Sequence, residues 1–120
     1  MIEIKFVDYK GHKILLQDFT NGGPGEEFLR AVEKAKKITR SQPAKSVLAI
    51  FDATGSKFNK DVVASLASLA KGNAPFIRAS AIIGIEGMLS IALSTVSKMS
   101  GRSFKTFKDR ESAMEWLIGQ

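Results

Sequence analysis

The residues best able to do chemistry are gathered in one short stretch, Asp52-Ala53-Thr54-Gly55. A carboxylate two positions before a hydroxyl, closed by glycine, suits a turn in which the aspartate caps the backbone that follows it. Such a corner offers a hydroxyl to be bound or modified. Two further glycine-containing stretches have a comparable build, Asn21 to Gly25 and Gly84-Ile85-Glu86-Gly87. Glycine lets backbone amides come close to a ligand or partner, and a helix start beyond each favours an anion. Turn geometry alone would also call for these glycines.

Other chemistries are excluded or poorly served. No stretch matches the Gly-x4-Gly-Lys-Ser/Thr phosphate loop or the Gly-x-Gly-x-x-Gly dinucleotide fingerprint. Without cysteine, disulfides, thiolate metal sites and thiol nucleophiles are impossible. His12, the single histidine, cannot build a zinc site alone. A serine triad would have to use it, yet it falls in a turn-like segment near the N-terminus. A carboxylate pair of Asp52 with Glu86 across neighbouring corners is the remaining acid–base arrangement, and nothing in the sequence sets its distance. We therefore expect no enzyme, no cofactor and no metal.

The corner needs a strand to present it. Val47 to Asp52 is almost wholly apolar and too short for a helix, which predicts a strand buried on both faces. In open α/β sheets, sites collect at the carboxyl ends of such strands. Upstream, Ile2, Ile4 and Phe6 alternate with charged residues, and Ile14 to Phe19 reads as a second strand. The link around Gly11 is too short for a parallel crossover, so the two should form a hairpin. Phe28, Ala31, Val32, Ala35 and Ile38 make one helical stripe, opened by Glu26 and Glu27 and closed by lysines and Arg40, charges that suit the helix dipole.

Asn59 should cap a second helix that buries Val62, Val63, Leu66, Leu69 and Ala70, ending at Gly72 to Pro75. Ile77 to Ile83 is the next strand. A third helix carries Leu89, Ala92, Leu93, Val96 and Met99 in phase, with Gly101 closing it. Phe104 to Phe107 reads as an edge strand. Asp109 should cap a last helix with Met114, Leu117 and Ile118 inward; Trp116 lies off that stripe. The order ββαβαβαβα predicts an α/β fold, a mostly parallel sheet with an N-terminal hairpin, in one domain over residues 1–120.

The chain has 120 residues and a net charge of +6. That charge permits an acidic partner, yet no Lys/Arg cluster is interleaved with aromatics, so nucleic acid is not expected. Lys34 to Arg40 is the one basic stretch that would bind an anionic surface. The acidic, alternating N-terminus is no signal peptide. Gly84, Glu86 and Gly87 interrupt the most apolar stretch, so no membrane span is expected and the cytoplasm is the expected location.

The order of elements with Asp52-Ala53-Thr54-Gly55 after the central strand resembles the STAS fold of anti-sigma-factor antagonists and sulfate-transporter tails. It is most similar to the SpoIIAA-like (STAS/SEC14) branch of small stand-alone proteins. The likeness extends to Ser46-Val47-Leu48, Asn73-x-Pro75, Ala81-x-x-Gly84, Ser100 to Phe104 and Ala113-x-x-Trp116-Leu117, and so spans essentially the whole chain. In the antagonists a Ser or Thr of this corner is phosphorylated by a partner kinase. The resemblance implies Thr54 as phosphoacceptor, with Asp52 and Gly55 also matching. Here Ala53 replaces a hydroxyl residue, and Ser56 to Asn59 sets the hydroxyl back from the following helix.

Two functions follow as expectations. One is a regulatory module that docks a protein partner through the Asp52–Phe58 corner and the second helix, with Asp52, Gly55, Ser56, Phe58, Gly84 and Gly87 as the corner's residues. The alternative is a carrier of a small molecule or lipid, as the SEC14 name implies, with a pocket between the third helix and the sheet; the apolar run Met88 to Leu93 motivates it.

Overall fold

The computed structural model describes residues 2–120. Lys10 and Gly11 both take positive φ, 48° and 82°, the conformation of a two-residue turn whose twist matches a hairpin. Around it β1 (Glu3–Tyr9) and β2 (His12–Asp18) pair antiparallel. From there every pairing is parallel: β3 (Val47–Asp52) lies beside β2, β4 (Ile77–Ile83) beside β3, and β5 (Lys105–Phe107) beside β4. The sheet order is β1-β2-β3-β4-β5, the expected hairpin and mostly parallel α/β sheet.

Alternation along the strands divides the core in two. Leu15 and Ala49 pack with Phe28, Val32 and Ala35 of α1 (Glu26–Arg40) and with Leu66 and Leu69 of α2 (Lys60–Asn73). Ile14, Leu16, Leu48 and Ile50 point the other way, onto Ala113 and Leu117 of α4 (Arg110–Ile118). β3 therefore needs apolar residues at odd and even positions alike, which is why it reads as an unbroken run. Full burial of a side chain such as Ile50 contributes about 1.5–3 kcal/mol.

The helix limits follow local chemistry. Asn59 Oδ1 accepts from Val62 N at 2.8 Å and Asp109 Oδ1 from Ser112 N at 2.8 Å, so both expected caps form. α2 runs one residue past Gly72 and passes into a single 3-10 turn, Ala74–Phe76. Gly101, at φ 70°, ends α3 (Met88–Ser100) in the left-handed conformation. Trp116 is half-buried beside Phe107, ring centroids 5.5 Å apart, with the Lys105 ammonium near its ring.

α3 departs from expectation. Met99 is 54% exposed, not inward, and Val96 and Ser100 are its buried residues. The reason is that α3 packs chiefly on α2, beside an edge strand of only three residues that offers little sheet to cover. Met88 and Ile91 are left facing out, and a gap remains between α3 and the sheet. Among the described residues no helix is long and apolar enough to cross a membrane.

Candidate functional site

The parallel register places Asp18 directly beside Asp52 at the carboxyl ends of β2 and β3. Both follow residues that face α4 (Leu16 and Ile50), so period-two alternation puts both carboxylates on that side. Each closes the same local turn. Asp52 Oδ1 accepts from Thr54 N at 3.0 Å and from the Thr54 hydroxyl at 2.6 Å, while Asp18 Oδ1 accepts from Thr20 N at 3.0 Å. Arg110, the first residue of α4, joins the two: its Nε donates to Asp52 Oδ2 at 2.9 Å and its Nη2 lies 3.1 Å from Asp18 Oδ2. Burial works against ionisation of Asp18, yet the Thr20 and Arg110 hydrogen bonds prevail and hold its carboxyl below the usual range. Burial likewise opposes charge on Arg110, and the two aspartates overcome it, raising its pKa.

Three loops meet here, as their common edge predicts. Asn21 N donates to Thr54 O at 2.8 Å, Lys57 N to Gly22 O at 2.9 Å and Ala53 N to Ile83 O at 2.8 Å. Gly84, at φ 81°, lies so close under Thr54 that a Cβ there would overlap the threonine backbone and hydroxyl. Gly55, at φ 69°, is covered by the Asn21 side-chain amide in the same manner. Thr54 is thus held from both sides and remains exposed, its hydroxyl hydrogen engaged by Asp52.

The remaining sequence candidates are distributed differently. Ser56 is buried and donates to Phe19 O at 2.6 Å, so it ties the loop down. Phe58 is half-buried and edge-on to Phe28, ring centroids 6.2 Å apart, which makes it neither a free anchor nor a fully sealed core residue. Gly87 adjoins α3, where a Cβ would meet open space. Asp52 commits its oxygens to Thr54 and Arg110, and Glu86 is exposed, so they make no acid–base pair. His12 is exposed at the far end of β2, about 20 Å of strand away from Asp18. Part of the basic stretch is engaged as well: Arg40 Nε donates to Asn73 Oδ1 at 2.9 Å, and Lys36 pairs with Glu33 at 3.2 Å. Sequence reasoning missed Asp18 and Arg110. The visible signal was the echo of Asp18-x-Thr20 in Asp52-x-Thr54.

Two hollows adjoin the corner. An open groove of about 1030 Å³ runs between α2 and α3, lined by Val63, Met88, Ile91, Ala92 and Met99, with Lys57, Lys60 and Glu86 as its charged residues. Gly55, Ser56 and Gly84 form the end nearest Thr54. Beneath it a smaller cavity of about 80 Å³ separates α2 and α3 from the sheet, and Phe58 lines both.

The sheet order, the hairpin and the four helices form a SpoIIAA-like fold. A solved structure from Shewanella loihica PV-4, described as an uncharacterised protein of the DUF3478 family with a SpoIIAA-like fold, superposes with a TM-score of 0.75. The alignment covers 97% of this chain and 93% of that one at 18% identity, a likeness of fold. No protein-family model and no curated protein matches the sequence.

Proposed function

We propose that this chain, taken as one cytoplasmic domain over residues 1–120, is a regulatory protein-interaction module that performs no catalysis itself. Its partner docks over the α2–α3 groove, and phosphorylation of Thr54 switches the contact. The observation that carries this reading is an exposed hydroxyl, gripped by a buried carboxylate, beside an apolar groove. Donation to Asp52 at 2.6 Å turns the hydroxyl hydrogen inward and leaves its lone pairs toward solvent, the orientation a phosphoacceptor needs. In the transfer the Thr54 Oγ–P bond forms and the bond to the γ-phosphorus of a kinase-held nucleoside triphosphate breaks. The hydroxyl proton passes to Asp52, and a nucleoside diphosphate leaves.

The groove suits an apolar segment with acidic flanks, given Met88 and Ile91 in its lining and Lys57 and Lys60 against the one acid, Glu86, among its charged residues. A phosphate adds about −1.5 to −2 charge and would repel such a partner. Likeness to the SpoIIAA-like fold supports the reading by analogy. The test is incubation with cellular kinases and ATP, followed by mass spectrometry of the intact fold. Phosphate should appear on Thr54 and not on the buried Ser56; modification elsewhere but never at Thr54 would sink the reading.

A further inference from the structure

Arg102 has no acid to answer it. Gly101 ends α3 and turns the chain, and the Arg102 side chain reaches the last turn of α2 and the middle of β4. Its Nη1 donates to Ala70 O at 3.1 Å, its Nη2 to Ser80 Oγ at 2.7 Å, and the guanidinium lies 4.9 Å from the Phe104 ring centre. None of the ion pairs among the described residues involves it. Burial alone lowers its pKa, with no neighbouring carboxylate to oppose that. A guanidinium offers five N–H donors, and this half-buried one spends two of them on Ala70 and Ser80, which leaves donors for an anion.

This guanidinium lines the inner cavity, and a second polar group there is also unmatched. The Thr39 hydroxyl is wholly buried in the same lining and has no hydrogen-bond partner. The other walls are mostly apolar, including Phe51, Leu66, Leu69, Leu93 and Val96, and the remaining polar side chains, Gln17, Asn73 and Ser80, already make hydrogen bonds. An apolar enclosure with a few convergent polar groups is the usual make-up of a small-molecule site. At about 80 Å³ it is small; one water needs about 10–15 Å³ of such space, so roughly five to eight non-hydrogen atoms fit.

We propose that this cavity binds a small aliphatic carboxylate of about four to six carbons, its anion on Arg102 and its chain among the leucines and phenylalanines. The inference goes beyond the role of Thr54 and does not depend on it. Phe58, in the wall between cavity and groove, is the side chain that must move to admit the ligand from that side.

The experiment is a two-dimensional amide NMR titration of the full chain with sodium hexanoate, hexan-1-ol and hexylamine. Hexanoate should give saturable shifts centred on Thr39, Ser80 and Arg102, with affinity about tenfold or more above that of the alcohol and the amine. Arg102→Gln should cost hexanoate about tenfold and leave hexan-1-ol unchanged. Should that variant fail to fold, the three-ligand comparison on the unaltered chain decides alone. Equal affinities for all three ligands, shifts centred elsewhere, or no saturable shift at millimolar hexanoate would each overturn the proposal.

Discussion

Arg110→Met is the sharpest perturbation of the corner, because it keeps the aliphatic stem and removes only the guanidinium that joins Asp18 to Asp52. The Asp52 carboxylate is buried, 8% exposed, so its hydrogen bond to Arg110 has the strength of a charge-assisted bond, about 1.5–3 kcal/mol. The Asp18 contact lies nearer solvent, at 22% and 38% exposure for the two partners, and belongs with pairs that contribute about 1 kcal/mol or less. Together they predict a loss of about 1.5–4 kcal/mol at neutral pH, measured by urea unfolding.

The pH dependence carries the stronger test. Asp18 has its folded pKa depressed, so its stabilising share is complete above the unfolded carboxylate pKa of about 3.9 and is lost as pH falls through the lower, folded value. The gap between the natural chain and Arg110→Met should therefore be full at neutral pH and smaller in acid, once pH has fallen through the folded Asp18 value, by the Asp18 share. Adding Asp52→Asn to the variant should recover part of the loss, since one of two facing charges is then gone. A gap of the same size at both pH values, or below about 1 kcal/mol at neutral pH, would refute the assignment of Arg110 as the clasp.

Gly84→Ala should destabilise by about 2–5 kcal/mol, combining positive φ with overlap on Thr54, while Gly87→Ala, in open space, should cost only about 1–2 kcal/mol; equal losses in urea unfolding would contradict the close approach at Gly84. Thr39→Val removes an unmatched buried hydroxyl at nearly constant shape and should stabilise by about 1 kcal/mol, and a destabilised variant would show that the hydroxyl has a partner. Ile91→Ser should change stability by no more than about 0.5 kcal/mol; a larger loss would make the outer face of α3 part of the core and remove the groove as a docking surface.

Elements whose burial is one-sided or complete were legible in the sequence. The single stripe of α1, with acids first and bases last, admits one orientation, and the apolar run of β3 admits only a covered strand. α3 was harder, because Met88, Leu89, Ile91, Leu93, Val96 and Met99 spread apolar groups over most of its circumference. Which side faces inward is decided by the neighbour it rests on, and α2 rather than the sheet supplies that neighbour. The inner cavity follows from the same fact, so periodicity alone could not disclose Arg102 as one of its walls.

The corner itself was half legible. Asp52, Thr54 and Gly55 stand together in the chain, and a local turn accounts for them. The clasp depends on register. Asp18 and Asp52 each end a strand and each precede a threonine by two residues, so pairing β2 and β3 in parallel makes them neighbours on one face. Like charges set opposite each other in a sheet are destabilising, and a buried carboxylate without a counter-charge is more so. A cation must then arrive on the α4 face, and the segment that enters there is the start of α4, where Asp109 caps the helix and so directs the next residue, Arg110, at the strand ends. A cation at a helix N-terminus works against the dipole. That unfavourable placement is offset only by two carboxylates held ready, which makes the corner's charge balance a property of the assembled sheet and not of any one stretch of sequence.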